Sequence, residues 1–213
     1  MNIPVEFINP NSSVSITRII EDTVSAMAVW EPSSIAFTTM RQAPAGIVTQ
    51  QQYQQASDLV VEYITRQPRR GIFVVACFSD PGVYRLRNEK TKAVIGIGEA
   101  GLRQAIRQGD RVGVVAVSKH AIPRHLDYWQ RLGLSEYVVA EEAAELDMAS
   151  FSDPNASFTH CLAAARRLVE KHGANVILLG CAGMSDMRAK LASALGIVVI
   201  DPVQAAVITL KAS

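Results

Sequence analysis

Residues 72–82 read Ile-Phe-Val-Val-Ala-Cys-Phe-Ser-Asp-Pro-Gly, and residues 176–186 read Val-Ile-Leu-Leu-Gly-Cys-Ala-Gly-Met-Ser-Asp. In each stretch an apolar run of β type ends at a cysteine, Cys77 or Cys181, and small and polar residues follow. Such apolar runs are typical of strands that helices cover on both faces, as in a parallel sheet. Because ligands of open parallel sheets bind at the carboxyl ends of the strands, each stretch predicts a thiol at a ligand-binding edge.

Short apolar runs alternate with amphipathic stretches along the whole chain. The predicted strands are Pro4–Ile8, Ser34–Thr39, Ile72–Ala76, Ala93–Ile97, Arg111–Val117, Glu136–Ala140, Val176–Gly180 and Val198–Ile200. The predicted helices are Ser13–Met27, Thr49–Arg66, Gly82–Glu89, Gly98–Gln108, Pro123–Leu132, Asn155–Lys171, Ser185–Leu195 and Val203–Leu210. This strict alternation predicts an α/β protein.

The two halves of the chain are similar in their spacing. Glu99 follows Cys77 by 22 residues and Gln204 follows Cys181 by 23, each shortly after a Val/Ile strand. We therefore expect two pseudo-symmetric lobes, each a four-stranded parallel sheet flanked by helices, with the active site in the cleft between them. The first lobe would comprise residues 1–109 and the second residues 110–213, and the last helix could pack back on the first lobe.

The composition indicates neither a nucleic-acid-binding protein nor a membrane protein. The 213 residues include 21 basic and 20 acidic side chains, a balance that does not indicate binding to nucleic acid or to a membrane surface. No apolar run approaches the ~18 residues of a membrane-spanning helix, and the first residues lack the pattern of a signal peptide. The three cysteines then favour free thiols in the cytoplasm over disulfides.

Several other motifs favour plain structural roles. Residues 96–101 match GxGxxG, but no acidic residue follows the next strand, so close packing of strand and helix is favoured over dinucleotide binding. Neither the cysteines nor the four histidines show the spacing of metal ligands. No motif ties a histidine to either Cys77 or Cys181, which weakens a Cys–His hydrolase. Cys161 lies inside a helical pattern and is predicted to be a core residue.

The polar segment Asn9–Ser13 follows the first predicted strand and precedes the first predicted helix. Its side chains suit N-capping of that helix. Because the segment lies at the same edge of the sheet as Cys77, Asn11 is also predicted to contact a polar substrate.

At these residues the chain resembles the aspartate/glutamate racemase superfamily and, within it, the hydantoin racemase branch, which includes allantoin racemases. The matching segments are residues 8–12, 76–82, 95–100, 179–184 and 199–201, so the resemblance covers nearly the whole chain. Amino-acid racemases of the superfamily tend to carry Cys-Asn-Thr and Cys-Thr-Glu at the two cysteines, and this sequence does not. Arylmalonate decarboxylases keep only the second cysteine, whereas this chain has both.

The resemblance implies a racemase without cofactor or metal, in which Cys77 and Cys181 are the two bases, and it implies a homo-oligomer. It also implies that the substrate is a 5-substituted hydantoin or allantoin. One departure concerns Ala116 and Val117, which stand where this branch usually has Thr-Thr, so two hydroxyl groups are missing unless Ser118 replaces them. A lost polar partner can change substrate preference strongly. An aspartate or glutamate racemase, a decarboxylase and a cis–trans isomerase therefore stay open as alternatives.

This chemistry assigns roles to further residues. The helices that begin after the two cysteines are expected to favour the thiolates, and an enolate intermediate needs N–H donors near its oxygen. The groups placed to meet the enolate are the backbones of Ser79, Ala182, Gly183 and Met184 and the side chains of Asn11 and Ser118. The expected apolar walls of the pocket are Ile47, Phe78 and Val117. Glu99 is expected to be either a helix cap or a group that supports Cys77 from behind.

Overall fold

Strands and helices alternate throughout the computed structural model, which describes residues 4–29, 34–68, 71–88, 93–146 and 153–212. The strands are β1 (Val5–Asn9), β2 (Ile35–Thr39), β3 (Ile72–Val75), β4 (Ala93–Gly96), β5 (Val112–Ala116), β6 (Val138–Ala143), β7 (Val176–Leu179) and β8 (Val198–Ile200). The helices are α1 (Val14–Ala26), α2 (Gln50–Arg66), α3 (Val83–Asn88), α4 (Ile97–Ile106), α5 (Ile122–Leu132), α6 (Pro154–His172), α7 (Arg188–Leu195) and α8 (Pro202–Lys211). Short 3-10 helices, Ser135–Tyr137 and Ala182–Met187, precede β6 and α7.

Local sequence sets several helix boundaries. Thr49 caps α2 through a reciprocal capping box with Gln52. Asp153 and Asp201 cap α6 and α8, and a proline stands at the first position of each of these helices. Because these signals act within a few residues, the ends of the helices follow from the sequence closely.

The strands form two four-stranded sheets, ordered β2-β1-β3-β4 and β6-β5-β7-β8, in which all pairs are parallel. The chain moves outward from β1 to β2 and then returns to the other side of β1 with β3, and it repeats this course from β5 to β7. Each sheet therefore has a switch point between its two central strands, the place where ligands of such sheets bind. The predicted α/β fold with two parallel sheets is confirmed.

Alternate residues of the central strands pack into different hydrophobic cores, as the two-residue repeat of a strand requires. Phe7 and Val114 belong to a core shared by both sheets. Their neighbours Ile8 and Val115 belong to separate cores, which contain residues of α2 and α6, respectively. The shared core therefore joins the two sheets, and each sheet keeps a helical layer on its other face.

Helices α4 and α8 pack against each other in the core that the two sheets share. Helix α4 packs against α8 and against β7, and α8 also packs against α1. The division into lobes at residues 109 and 110 stays a prediction. Within the described ranges, no helix combines the length and the apolar character needed to cross a membrane.

Most predicted boundaries lie within two residues of those in the structure, and two differ by more. The strand predicted over Glu136–Ala140 begins later and continues through the acidic pair Glu141 and Glu142, because buried partners accommodate the Glu141 carboxylate. The helix predicted from Ser185 begins as the 3-10 helix at Ala182 and becomes α-helical at Arg188. The end predicted for the third helix, Glu89, lies outside the described residues.

The junction of β4 and α4 packs tightly against the turn after Cys77. A Cβ atom on Gly96 would overlap the Asp80 carboxylate, and one on Gly98 would overlap the carbonyl oxygen of Phe78. The Asp80 carboxylate accepts hydrogen bonds from the backbone N–H groups of Gly98 and Glu99 at 2.9 and 2.8 Å. The close packing predicted for the GxGxxG segment is thus confirmed.

The substitution Gly98→Ala is expected to destabilise the protein by about 3 kcal/mol, because its methyl group would force a rigid backbone carbonyl away. Gly133→Ala is the matched control. Gly133 has a φ of 67° but nothing near a Cβ, so only the cost of a left-handed alanine, about 1 kcal/mol, is expected there. Urea unfolding of the two variants measures the difference, and equal losses would contradict the tight junction.

Candidate active site

A cavity opens at the carboxyl ends of the central strands of both sheets. It encloses about 650 Å³, including its solvent-open mouth. Most of its lining is apolar, and both Cys77 and Cys181 contribute to it. The lining residues are Asn11, Ile16, Gly46, Ile47, Val48, Ala76, Cys77, Phe78, Ser79, Val117, Ala121, His125, Gly180, Cys181 and Ala182.

Cys77 lies two residues after the end of β3. The Asp80 N–H donates to the Cys77 carbonyl oxygen at 2.9 Å, so the chain turns sharply there. The Ser79 N–H hydrogen-bonds to the thiol and favours its ionised form. Burial, together with a smaller effect of the nearby Cys181 thiolate, nevertheless raises the pKa of Cys77 to about 12.

Cys181 follows β7 and stands at the N-cap of the 3-10 helix. The Gly180 N–H donates to the carbonyl oxygen of Val115 at 2.9 Å and holds this segment against β5. The Gly183 N–H donates to the Cys181 sulfur at 3.3 Å. Burial raises the pKa of Cys181 to about 11, although the Gly183 N–H lowers it.

The expectation that helix ends favour both thiolates is therefore wrong in its net effect. A backbone N–H does stabilise each ionised sulfur, but loss of water costs the charged form more. The segment after Cys77 is also a turn before the six-residue helix α3, which offers a weaker dipole than a long helix. The raised pKa values therefore favour the thiol form of both groups at neutral pH.

Six of the residues predicted to contact substrate line the cavity: Asn11, Ile47, Phe78, Ser79, Val117 and Ala182. The Asn11 Oδ1 atom accepts hydrogen bonds from Asn9 Nδ2 at 3.0 Å and from the Ser13 N–H at 2.9 Å. Within the described ranges, no partner binds the Asn11 Nδ2 group. Its two N–H bonds therefore remain for a ligand, while Ser13 rather than Asn11 caps α1.

Other predicted residues do not line the cavity. Ser118 lies in a separate surface pocket, and its hydroxyl accepts the His120 N–H at 3.3 Å. Its hydroxyl therefore lies outside the cavity that Val117 lines. The Met184 N–H donates to the Cys181 carbonyl oxygen, and the Gly183 N–H is taken by the thiol.

The Glu99 carboxylate binds two arginines and does not contact Cys77. Its carboxylate forms ion pairs with Arg87 and Arg103, which lower its pKa against the effect of burial. Only its backbone N–H reaches the turn of Cys77, through the Asp80 carboxylate. Glu99 thus acts in the first turn of α4, where a negative charge is favourable.

Sequence reasoning missed a set of buried polar side chains beside the cavity. His125 on α5 is 3.1 Å from the Ser79 hydroxyl through Nε2 and 2.9 Å from Glu141 through Nδ1. The Trp129 Nε1–H donates to the other Glu141 oxygen at 2.7 Å. The available signal was weak: His125 and Trp129 are four residues apart and share one face of α5, but nothing marked Glu141 as buried.

Comparisons with known proteins match nearly the whole chain. Residues 5–210 match the model of the family described as Asp/Glu/Hydantoin racemase. A hydantoin racemase of Pseudomonas sp. (strain NS671) is 30% identical over 206 residues, which cover 95% of this chain and 82% of that protein. An uncharacterized protein of Schizosaccharomyces pombe is 32% identical over 96% of this chain and 89% of its own length. The structure of allantoin racemase from Klebsiella pneumoniae has a TM-score of 0.88 at 27% identity and covers 99% of this chain and 86% of that chain.

The raised pKa values of Cys77 and Cys181 predict how the thiols react with iodoacetamide. Because only the thiolate attacks, the alkylation rate of each should rise by about tenfold per pH unit from pH 7 to pH 10, since both pKa values lie above that range. Peptide mass spectrometry resolves the sites, and the fully buried Cys161 is the internal control that stays unmodified in the folded protein. A plateau below pH 8 at either site would contradict the raised pKa.

Proposed function

Because the chain belongs to the Asp/Glu/Hydantoin racemase family, we propose that it inverts a carbon next to a carbonyl group in a 5-substituted hydantoin or in allantoin. This family membership confirms the resemblance that the motifs around the two cysteines indicated. Relatives named as hydantoin and allantoin racemases support the substrate class.

The main support for a two-base reaction is that one cavity holds both thiols. Cys77 comes from the first sheet and Cys181 from the second, and each follows a central strand. Inversion requires that a proton leave one face of a carbon and that another arrive at the opposite face. Two acid/base groups contributed by different sheets suit that requirement, whereas a one-cysteine decarboxylase or isomerase would leave one thiol without a role.

In the proposed cycle, one cysteine acts as a thiolate and removes the proton, and the other acts as a thiol and returns one. The two exchange roles for the opposite enantiomer. Burial makes each thiolate scarce at neutral pH but also a stronger base. Such a base is useful here because a carbon acid holds its proton tightly.

The developing enolate oxygen needs donors, and the Asn11 Nδ2 group is the side-chain donor that lines the cavity with free N–H bonds. The apolar walls, including Ile47, Phe78 and Val117, limit water and so strengthen that interaction. A hydantoin ring also spreads the charge over its own carbonyl groups. For these reasons, the proposed reaction uses no cofactor.

We also propose that the protein works in the cytoplasm and as a homo-oligomer. The three cysteines are free thiols, as a reducing compartment would keep them. The oligomer is implied by the family resemblance.

Replacement of either cysteine tests the two-base cycle. Cys77→Ala and Cys181→Ala should each lower the rate of racemisation by a factor of about 10³ or more, the range of an essential proton-transfer group. Each variant should still exchange the α-proton of one enantiomer with deuterated water, because the remaining cysteine serves its own face. Cys161→Ala is the control. This variant should stay active, because the Cys161 side chain lies in the core between α6 and the second sheet. Full racemisation by both single variants would falsify the two-base cycle.

A panel of substrates tests the proposed substrate class. Proton NMR in deuterated water should show loss of the C5 proton from L- and D-5-substituted hydantoins or from allantoin, with racemisation seen by polarimetry. Aspartate and glutamate should be unchanged, because the cavity is lined mostly by apolar side chains. Exchange of the amino acids alone would assign the protein to amino-acid racemisation instead.

A further inference from the structure

Three polar side chains beside Cys77, those of Ser79, His125 and Glu141, are connected by hydrogen bonds. We call these three residues the Ser79 relay. Ser79 follows β3 of the first sheet, whereas His125 on α5 and Glu141 on β6 belong to the half that carries the second sheet. The side chains of His125 and Glu141 are 3% and 0% exposed. Burial of polar groups costs free energy of folding unless the groups are hydrogen-bonded.

The hydrogen bonds of the relay have one consistent direction. The Glu141 carboxylate can only accept, and it takes the Trp129 Nε1–H on one oxygen and the His125 Nδ1–H on the other. Nδ1 therefore carries a proton. In a neutral imidazole Nε2 is then an acceptor, and it faces the Ser79 hydroxyl at 3.1 Å.

Arg124 supplies the balancing charge. Its Nε–H donates to the Ser79 hydroxyl oxygen at 3.2 Å, and its guanidinium stacks over the Tyr53 ring at 5.1 Å. Arg124 and Glu141 thus contribute one charge of each sign to the set, and Arg124 approaches the Ser79 oxygen from a side that His125 does not occupy.

Ser79 is thereby fixed as an acceptor toward the cavity. Its single O–H is donated to His125, and one lone pair is occupied by Arg124. One lone pair remains, and Ser79 lines the cavity beside Cys77. A group that could serve as donor or acceptor in isolation has only the acceptor role left.

We infer that Ser79 accepts a hydrogen bond from a ring N–H of a cyclic amide or ureide substrate, and that His125 and Glu141 are positioning residues that hold Ser79 in this role. The inference rests on the proposed function and deepens it. It predicts that the enzyme distinguishes substrates by an N–H group on the ring that contains the inverted carbon. Asn11 would meet the carbonyl oxygen, and Ser79 would meet the N–H.

The same three residue types can also form a nucleophilic serine site. Here the Arg124 Nε–H occupies one of the two lone pairs of the Ser79 oxygen and withdraws electron density from it. We therefore expect no covalent adduct when the protein is treated with a fluorophosphonate, and mass spectrometry checks this. A stable adduct on Ser79 would overturn the acceptor role.

The direct test compares L-5-methylhydantoin with its N1-methyl and N3-methyl derivatives. For the wild type, one of the two methylated compounds should racemise at least about tenfold more slowly than the parent, the rate equivalent of one ordinary hydrogen bond. Ser79→Ala should slow the parent and remove most of that difference, because the acceptor is gone. A difference that is unchanged in Ser79→Ala would overturn the inference, since it would then come from the size of the methyl group.

Glu141→Gln tests the positioning role without a change of size. The glutamine amide can donate to Nδ1, which moves the imidazole proton to Nε2 and releases the Ser79 O–H toward the cavity. The variant should slow the parent substrate by about tenfold, and the double variant with Ser79→Ala should be no slower than Ser79→Ala alone. Additive losses would contradict a shared role.

Glu142→Gln is the matched control, because this neighbouring carboxylate on β6 binds Arg167 and His172 outside the cavity. It should keep wild-type rates. Circular dichroism and thermal melts of each variant separate a loss of activity from a loss of fold. If the wild type exchanged none of the hydantoins, the proposed function itself would fail; exchange that ignores N-methylation would remove only the role of Ser79.

Discussion

The hydrogen bonds from the backbone of α4 to the Asp80 carboxylate hold the site together. They tie the turn that carries Cys77 to the first residues of α4, and the Tyr128 hydroxyl donates to the same carboxylate at 3.1 Å. Asp80 adopts a φ of 47°, a conformation that its short polar side chain tolerates. Because α4 packs against β7, which leads to Cys181, the same contact relates the position of one cysteine to that of the other.

Throughout this region, burial opposes the ionised form of the acidic side chains. It raises the pKa of Asp80 to about 7, although two backbone N–H groups favour the charged form. At Cys77 and Cys181 the balance is similar, with one N–H against a large loss of hydration. The apolar walls that make the thiols weak acids also make any hydrogen bond formed with a substrate stronger. Burial in such a cavity therefore makes each thiolate scarcer and more basic, and it strengthens polar contacts within the cavity.

The polar groups of the cavity come from separated parts of the chain. Asn11 follows β1, Ser79 follows β3, and His125 comes from the helix after β5. Of these, Asn11 and Ser79 were predictable, because each lies where an apolar strand ends in small polar residues. His125 and Arg124 were not, since they lie on a helix whose pattern indicates only amphipathic packing. Their contact with Ser79 exists because α5 lies beside the turn that follows β3 in the assembled fold.

The sequence by itself determined the order of strands and helices, the closeness of the Gly96–Gly98 junction, and the placement of Cys77 and Cys181 at strand ends. These features depend on the burial of residues two or four positions apart, which a linear pattern records. Only the tertiary structure decided which strands pair, that Ser118 lies outside the cavity, and that Ser79 contacts His125, 46 residues away. It also decided the acidity of the thiols, because a pKa depends on the water excluded by all surrounding segments and not on the residues that flank the cysteine.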